Sequence, residues 1–183
     1  MSLEPKPVSA SRCVMNEFVL PNDTNGLGNL MGGRLLHLMD ICAAISSQRH
    51  ANRTCVTAAV DFVEFNAPIK MGEVVVLESQ INRAFNTSME VEINVWAENP
   101  RKQTKRKANR AFYTFVAVDE NGPVKVPQAV PETEDEQKRY DNASRRREIR
   151  LLMSGRIPLE EAEIIKSDVW DVLRREKTKA DLA

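Results

Sequence analysis

From Met89 to Glu98 apolar and polar positions alternate, with Met89, Val91, Ile93, Val95 and Ala97 interleaved by Glu90, Glu92, Asn94, Trp96 and Glu98. A period of two sends the two sets to opposite sides of an extended backbone, so a strand with one covered face is expected. Residues 14–20, 54–64, 73–85 and 107–119 also read as strands, rich in valine and phenylalanine. Pro68 with Met71-Gly72, and Asn86-Thr87, mark turns between them. The period changes in one place. After a stretch crowded with turn formers (21–29) and the pair Gly32-Gly33, residues 34–45 have helix-forming composition and are apolar on nearly every face. That pattern predicts a helix enclosed by other elements. Strand, helix, then four strands joined by short turns favours antiparallel pairing, and a curled sheet around one helix is the simplest way to bury it. An α+β fold is expected.

The ends differ from this middle. Residues 1–12 are polar and carry Pro5 and Pro7, which suggests a flexible leader. From residue 132 onward charge dominates, with Arg145-Arg146-Arg147 and Arg174-Arg175, and two helices broken at Gly155 and Pro158 are expected. Their apolar contacts would be Leu151, Leu152, Ile164, Ile165, Val169, Trp170 and Leu173. This charged helical extension (132–183) is either a solvated tail or an oligomer or partner surface. The domain proper is 13–131. Lys plus Arg and Asp plus Glu both number 26, so no global field recruits nucleic acid or a membrane surface. Cys13, Cys42 and Cys55 lack metal or redox spacing and read as free thiols of a reducing compartment. No signal-peptide core and no run of ~18 apolar residues is visible. A cytoplasmic protein without metal is expected.

The chemistry candidates are few. Asp40 lies amid Leu36, Met39, Ile41, Cys42 and Ala43, on a helix whose other residues demand burial, and an unpaired buried carboxylate costs several kcal/mol. It is either an aspartate at an exposed edge or hydrogen-bonded for structure, or a general base or nucleophile in a cleft. His37, three residues earlier, can share its helix face. Gly32-Gly33 would let a ligand approach the first backbone N–H groups of the helix, or would serve a tight turn. No G-x-S-x-G elbow, Cys–His pair, G-x-G-x-x-G or phosphate-loop ending is present, which disfavours serine and cysteine hydrolases and nucleotide enzymes. The basic run within 101–107, including Lys105 and Arg106, is either a solvated hairpin loop or a clamp for phosphates.

Taken together, the blocks resemble the cytosolic acyl-CoA hydrolases of the hotdog superfamily. Pro21 to Gly33 is similar to that family's P-x-D-x-N-x-x-G-x-x-x-G-G, and it runs on into Leu38-Met39-Asp40. The likeness resumes at 56–62, 68–75, Thr87-Ser88-Met89, Val95-Trp96-Ala97 and 112–119. Met31 stands where the family often has phenylalanine, and Phe85-Asn86 where it has a glycine-arginine turn. The resemblance implies a hotdog fold, a long central helix wrapped by a curved antiparallel sheet. It implies homo-oligomers, a dimer of hotdogs assembled as a trimer of dimers, with sites between protomers. It implies hydrolysis of acyl-CoA to fatty acid and coenzyme A, with no cofactor beyond the coenzyme A of substrate and product. Asp40 would act on the thioester or the attacking water, Asn25 of the partner protomer would position water or substrate, and the amide after the glycine pair or that of Gly33 would serve the oxyanion. Gly32, Val60, Asp61, Phe62, Arg83, Thr87 and Ser88, with Lys105 and Arg106, would contact substrate. A non-catalytic acyl-CoA-binding module is the alternative, and a hotdog dehydratase would need a histidine base that His37 is wrongly placed to supply.

Overall fold

The computed structural model describes residues 3–61 and 63–167, which leaves Phe62, Val169, Trp170, Leu173, Arg174 and Arg175 outside the described residues. In chain order the elements are β1 (Lys6–Pro7), a 3-10 turn (Val8–Ser11), β2 (Cys13–Phe18), a second 3-10 turn (Pro21–Asp23) and α1 (Gly32–Ala51). They continue with β3 (Thr54–Val60), β4 (Glu64–Phe65), β5 (Val74–Ala84), β6 (Ser88–Asn99), β7 (Thr104–Asp119), β8 (Gly122–Pro123), β9 (Ala129–Val130) and α2 (Glu134–Met153). The main sheet is antiparallel in the order β2-β5-β6-β7-β3, with β4 and β8 added to β7. It wraps α1 in the hotdog arrangement.

The alternation read in β6 holds: Met89, Val91, Ile93, Val95 and Ala97 are all fully buried on the side that meets α1. Across β7 the same face carries Ala111, Tyr113, Phe115 and Ala117. The helix contributes Leu35, Leu38, Met39, Cys42, Ala43, Ser46, Ser47 and His50, the i, i+3, i+4, i+7 spacing of a single stripe. Truncating Met39 or Leu38 to alanine would cost about 2–5 kcal/mol, the range for buried large-to-small changes. The serines of the stripe are satisfied, whereas His50 meets the Pro127 carbonyl through Nε2 at 2.9 Å and its buried Nδ1 has no partner among the described residues. The Ser79 hydroxyl donates to the Cys42 carbonyl at 2.8 Å and lies 2.6 Å from the Ser46 hydroxyl. The three cysteines are buried and unpaired, as expected.

Enclosure of the helix is the first departure from expectation. Gly33 and His37 are exposed and Leu36 and Asp40 half-buried, so the stripe through them is left open by the sheet. The outer face of β6 is the second, because Glu90 and Glu92 are buried instead of solvated. Asn82 donates to Glu90 at 3.0 Å, while Asn94 and Arg110 donate to Glu92 at 3.0 and 2.8 Å. Burial works to raise the Glu92 carboxyl, but the Arg110 charge and these hydrogen bonds outweigh it and hold it below its usual range.

The supposed leader is the third. Residues 6–11 are built onto the domain: β1 pairs in parallel with β9, Val8 is 1% exposed, and the Ser11 hydroxyl donates to the Val8 carbonyl and accepts from the Ile81 amide. Lys6 reaches the last turn of α1, donating to the carbonyls of His50 at 2.9 Å and Arg49 at 3.3 Å. A lysine at a helix C-terminus satisfies orphan carbonyls and complements the helix dipole, which outweighs the loose look of a polar, proline-bearing segment.

The basic run corrects the fourth. β7 begins at Thr104 and pairs Lys105 with Glu98 and Arg106 with Ala97, so the hairpin connection is short and Lys105, Arg106 and Lys107 belong to a strand. Arg106 donates to both Glu73 oxygens at 2.7 and 2.8 Å and to the Pro68 carbonyl at 2.6 Å. That fork holds the Glu73 carboxyl below its ordinary 4.5 despite burial, helped by the Lys70 amide. A carboxyl whose folded value is depressed stabilises the fold above its unfolded value, and loses that contribution as pH falls through the folded one. Arg106→Ala is expected to cost about 1–2 kcal/mol at neutral pH, toward the low end because the guanidinium is partly exposed. Thermal melts of both proteins should converge as pH drops below 4.5; a constant gap would show the pair to be unimportant.

The chain divides into two compact units, Met1–Gln137 and Lys138–Ala183. The start of α2 is fixed within the first by a capping box: the Glu136 amide donates to the Thr133 hydroxyl at 3.2 Å, and the Glu136 carboxylate accepts from the Thr133 amide. In the second unit α2 ends in a Schellman turn, with Gly155 at φ +66, the Arg156 amide on the Leu151 carbonyl and the Gly155 amide on that of Leu152. This is the break expected at Gly155, and Pro158 then caps a 3-10 turn, Leu159–Glu161.

Candidate active site

The open stripe of α1 faces a cleft of about 750 Å³ lined by Gly33, Leu36, His37, Asp40, Val60, Asp61, Val63 and Tyr113. A bulge in β3 shapes its far wall. Between Thr57, opposite Phe115, and Ala59, opposite Thr114, β3 carries one residue more than β7, so Ala58 is unpaired. An extra residue re-phases the side chains beyond it. Thr57 and, three residues on, Val60 therefore both face α1, where strict alternation would turn Val60 away. The rim beyond is pinned by the Asp61 amide, which donates to the Phe112 carbonyl at 2.9 Å.

Asp40 combines features of both readings made from sequence. It is partly exposed, at the edge of the buried stripe, and it lines the cleft. The Thr57 hydroxyl donates to its Oδ1 at 2.7 Å, which fixes one oxygen of a carboxylate that has two with which to accept. His37 lies on the same stripe, with no hydrogen bond to Asp40. Gly33 is in the first turn of α1, where backbone N–H groups have no intrahelical acceptor. Tyr113 sits across from Asp40; burial, then the Asp40 charge, push its hydroxyl up to about 12, so it stays protonated.

The glycine pair divides its duties. Neither residue has positive φ. A Cβ on Gly32 would lie 3.2 Å from the Phe65 ring, whereas one on Gly33 would meet open space. Gly32 lines a second cavity of about 410 Å³ with Asn29, Leu30, Leu35, Phe65, Ala67, Pro68 and Ile69.

Of the remaining residues singled out by sequence, Val60 and Asp61 come together with Gly33 and Asp40, and Phe62 lies outside the described residues. Asn25 is exposed and does not line its own chain's cleft. Its Oδ1 accepts from the amides of Leu27 at 2.9 Å and Asn29 at 3.2 Å, in a turn completed by Gly28 at φ +70. That loop is tied to α1 by the ion pair of Asp23 and Arg34 at 3.0 Å, and to the sheet by the Leu30 amide on the Ile69 carbonyl. Arg83, Thr87, Ser88, Lys105 and Arg106 do not line the cleft either. The Arg83 guanidinium stacks over Phe85, Thr87 and Ser88 sit at the β5–β6 turn, and Lys105 lies over Trp96 beside Glu78. Sequence reading passed over Thr57 and Tyr113. Both stand on the inner face of their strands, where period two marks them only as core, and nothing in composition announces the bulge.

The sequence profile of the thioesterase superfamily matches residues 27–104. The chain is 42% identical over 137 residues to an uncharacterized acyl-CoA thioester hydrolase, YkhA, of Bacillus subtilis, covering 74% of this chain and 80% of that protein. It is 41% identical over 143 residues to mouse acyl-coenzyme A thioesterase 11, covering 78% of this chain but only 24% of that longer protein. Among solved structures, an apo hexameric acyl-CoA thioesterase superposes with a TM-score of 0.80 at 38% identity, over 82% of this chain and 97% of its own. The acyl-CoA hydrolase of Staphylococcus aureus, solved with butyryl coenzyme A, coenzyme A and coenzyme A disulfide, superposes with a TM-score of 0.75 at 32% identity, over 92% of this chain and 98% of its own. The same hydrolase has been solved with an aspartate, a threonine and an asparagine each changed to alanine. A curled sheet around one helix, a cleft at the helix's open stripe and a relative 42% identical over most of its length together make this chain a member of the thioesterase superfamily of hotdog proteins.

Proposed function

We propose that the chain hydrolyses acyl-CoA thioesters in the Asp40 cleft, as a homo-oligomer in which a second copy completes each site. The observation that carries the reading is the Thr57–Asp40 hydrogen bond at the wall of an open cleft. The asparagine, aspartate and threonine replaced in the Staphylococcus aureus structures have the same spacing along their chain as Asn25, Asp40 and Thr57 have here. That agreement supports treating the three residues as one working set.

In this reading Asp40 accepts a proton from water, whose oxygen bonds to the thioester carbonyl carbon while the carbonyl electron pair moves onto oxygen. The free N–H of Gly33 stabilises that oxyanion, aided by the positive end of the α1 dipole. Collapse breaks the C–S bond, and the departing thiolate recovers the proton from Asp40. Thr57 orients the carboxylate. The open sheet edge at β3 supports oligomerisation: Val56 there and Val60 at the cleft wall are each 46% exposed. The hexameric neighbour supports an assembly of six copies, the number that a trimer of dimers contains. Of the two residues assigned to a phosphate clamp, Arg106 serves the fold, whereas Lys105, over Trp96 and 3.8 Å from Glu78 with 44% of its side chain exposed, remains the candidate for coenzyme-A phosphates. Three free thiols suit a cytoplasmic setting.

A thiol-release assay over acyl-CoA esters of graded chain length tests the activity; tight binding without release would favour the non-catalytic module. Thr57→Val keeps the branched shape and removes the donor. It is expected to lower kcat about tenfold with KM little changed, as for an interaction that matters to the transition state. An unchanged kcat would reduce Thr57 to packing.

A further inference from the structure

Tyr113 is 1% exposed, packs beside Phe115, and lies opposite Val60 in the β3–β7 register, where it forms part of the cleft floor. Phenylalanine would fill such a position without polar cost. A buried hydroxyl without a partner is destabilising, so buried tyrosines normally find one. Among the described residues no group accepts a hydrogen bond from the Tyr113 hydroxyl. Asp40 does not: the hydrogen bond it accepts comes from Thr57. Nor is the hydroxyl among the sealed polar atoms that lack partners, which include Asn109 and Thr114 on the same strand. What remains open to it is the cleft.

We propose that the Tyr113 hydroxyl donates a hydrogen bond to the thioester carbonyl oxygen, as a second oxyanion donor facing the Gly33 amide across the cleft. The role rests on the thioesterase reading above. The geometry restricts the alternatives. A phenol between a helix stripe carrying a carboxylate and a strand floor can act as base or nucleophile only as phenolate, and both burial and the Asp40 charge oppose that form. It is left as a donor. Its natural acceptor is an atom that gains negative charge during the reaction, and the thioester oxygen is such an atom where Asp40 attacks through water. Because the ring is held by packing against the inner sheet face, the donor is already oriented before substrate arrives.

Tyr113→Phe keeps the ring and removes only the donor. In the full chain we expect kcat to fall about tenfold to a hundredfold with KM within about twofold, because the bond strengthens as the oxyanion forms. An independent readout uses Asp40→Asn protein loaded with an acyl-CoA labelled with carbon-13 at its carbonyl. Adding Tyr113→Phe to that protein should move the carbonyl infrared band to higher frequency, as a hydrogen bond to the oxygen is lost. Full kcat in Tyr113→Phe, beside an active parent, overturns the role of Tyr113 and leaves the thioesterase reading standing. A lowered kcat with an unmoved carbonyl band also overturns it, marking the hydroxyl as packing. No turnover by the parent on any acyl-CoA overturns the thioesterase reading, and this role with it.

Discussion

Replacement of Asp40 by asparagine is expected to lower acyl-CoA hydrolysis by about a hundredfold or more while leaving the protein folded. The magnitude is that of losing a positioned general base, typically ~10²–10⁴ in rate. Asparagine keeps the size of the side chain and keeps an oxygen that can still accept from the Thr57 hydroxyl at its present 2.7 Å, so the wall of the cleft should survive. Asp40 lies at the edge of the buried stripe, which further limits any packing cost. Thiol release would be measured beside a melting curve. Wild-type turnover by a protein with unchanged melting would remove Asp40 from the mechanism.

The second large effect is a recovery. Asn25→Asp and Asp40→Asn are each expected to be nearly inactive, yet mixtures of the two after subunit exchange should regain roughly a quarter of the parent rate, since half the dimers are hybrid and each carries one intact site of two. Asn25 is exposed on a loop outside its own cleft, and its oxygen is committed to the amides of Leu27 and Asn29. Only its amide nitrogen is left to reach outward, and a neighbouring copy docked on the β3 edge offers a destination. Aspartate preserves the loop's acceptor and deletes the nitrogen donor, so the substitution asks about chemistry and spares the turn. Hybrids confirmed by native mass measurement but still inactive would place the role of Asn25 within its own protomer, or in the loop alone.

Much of this was legible before any coordinates. The β6 alternation survives as a fully buried inner row because sheet burial on the helix side enforces period two. Asp40 stood out because a charge in an apolar helix needs an explanation, and the cleft with Thr57 is that explanation. Other parts depended on contacts distant along the chain. Lys6 looked like part of a loose leader until it met carbonyls more than forty residues away. Arg106 looked like a free cation in a loop, but Glu73 claims it from the neighbouring turn. Helix composition predicted enclosure on all sides, and the sheet provides it on one.

The single extra residue in β3 has a consequence for how such clefts diversify. Thr57 and Val60 already face the helix from three positions apart, so losing Ala58 would restore ordinary pairing with β7 and still keep both side chains on that face. Most one-residue indels in a strand invert everything downstream and are purged. Here the chain can shorten without reversing a side chain, since Val60 keeps its place opposite Tyr113 and the change falls on the wall between Thr57 and the rim. The wall of this site is therefore a place where evolution, or an engineer, can retune substrate size by changing length and leaving the chemistry of Asp40 and Thr57 as it is.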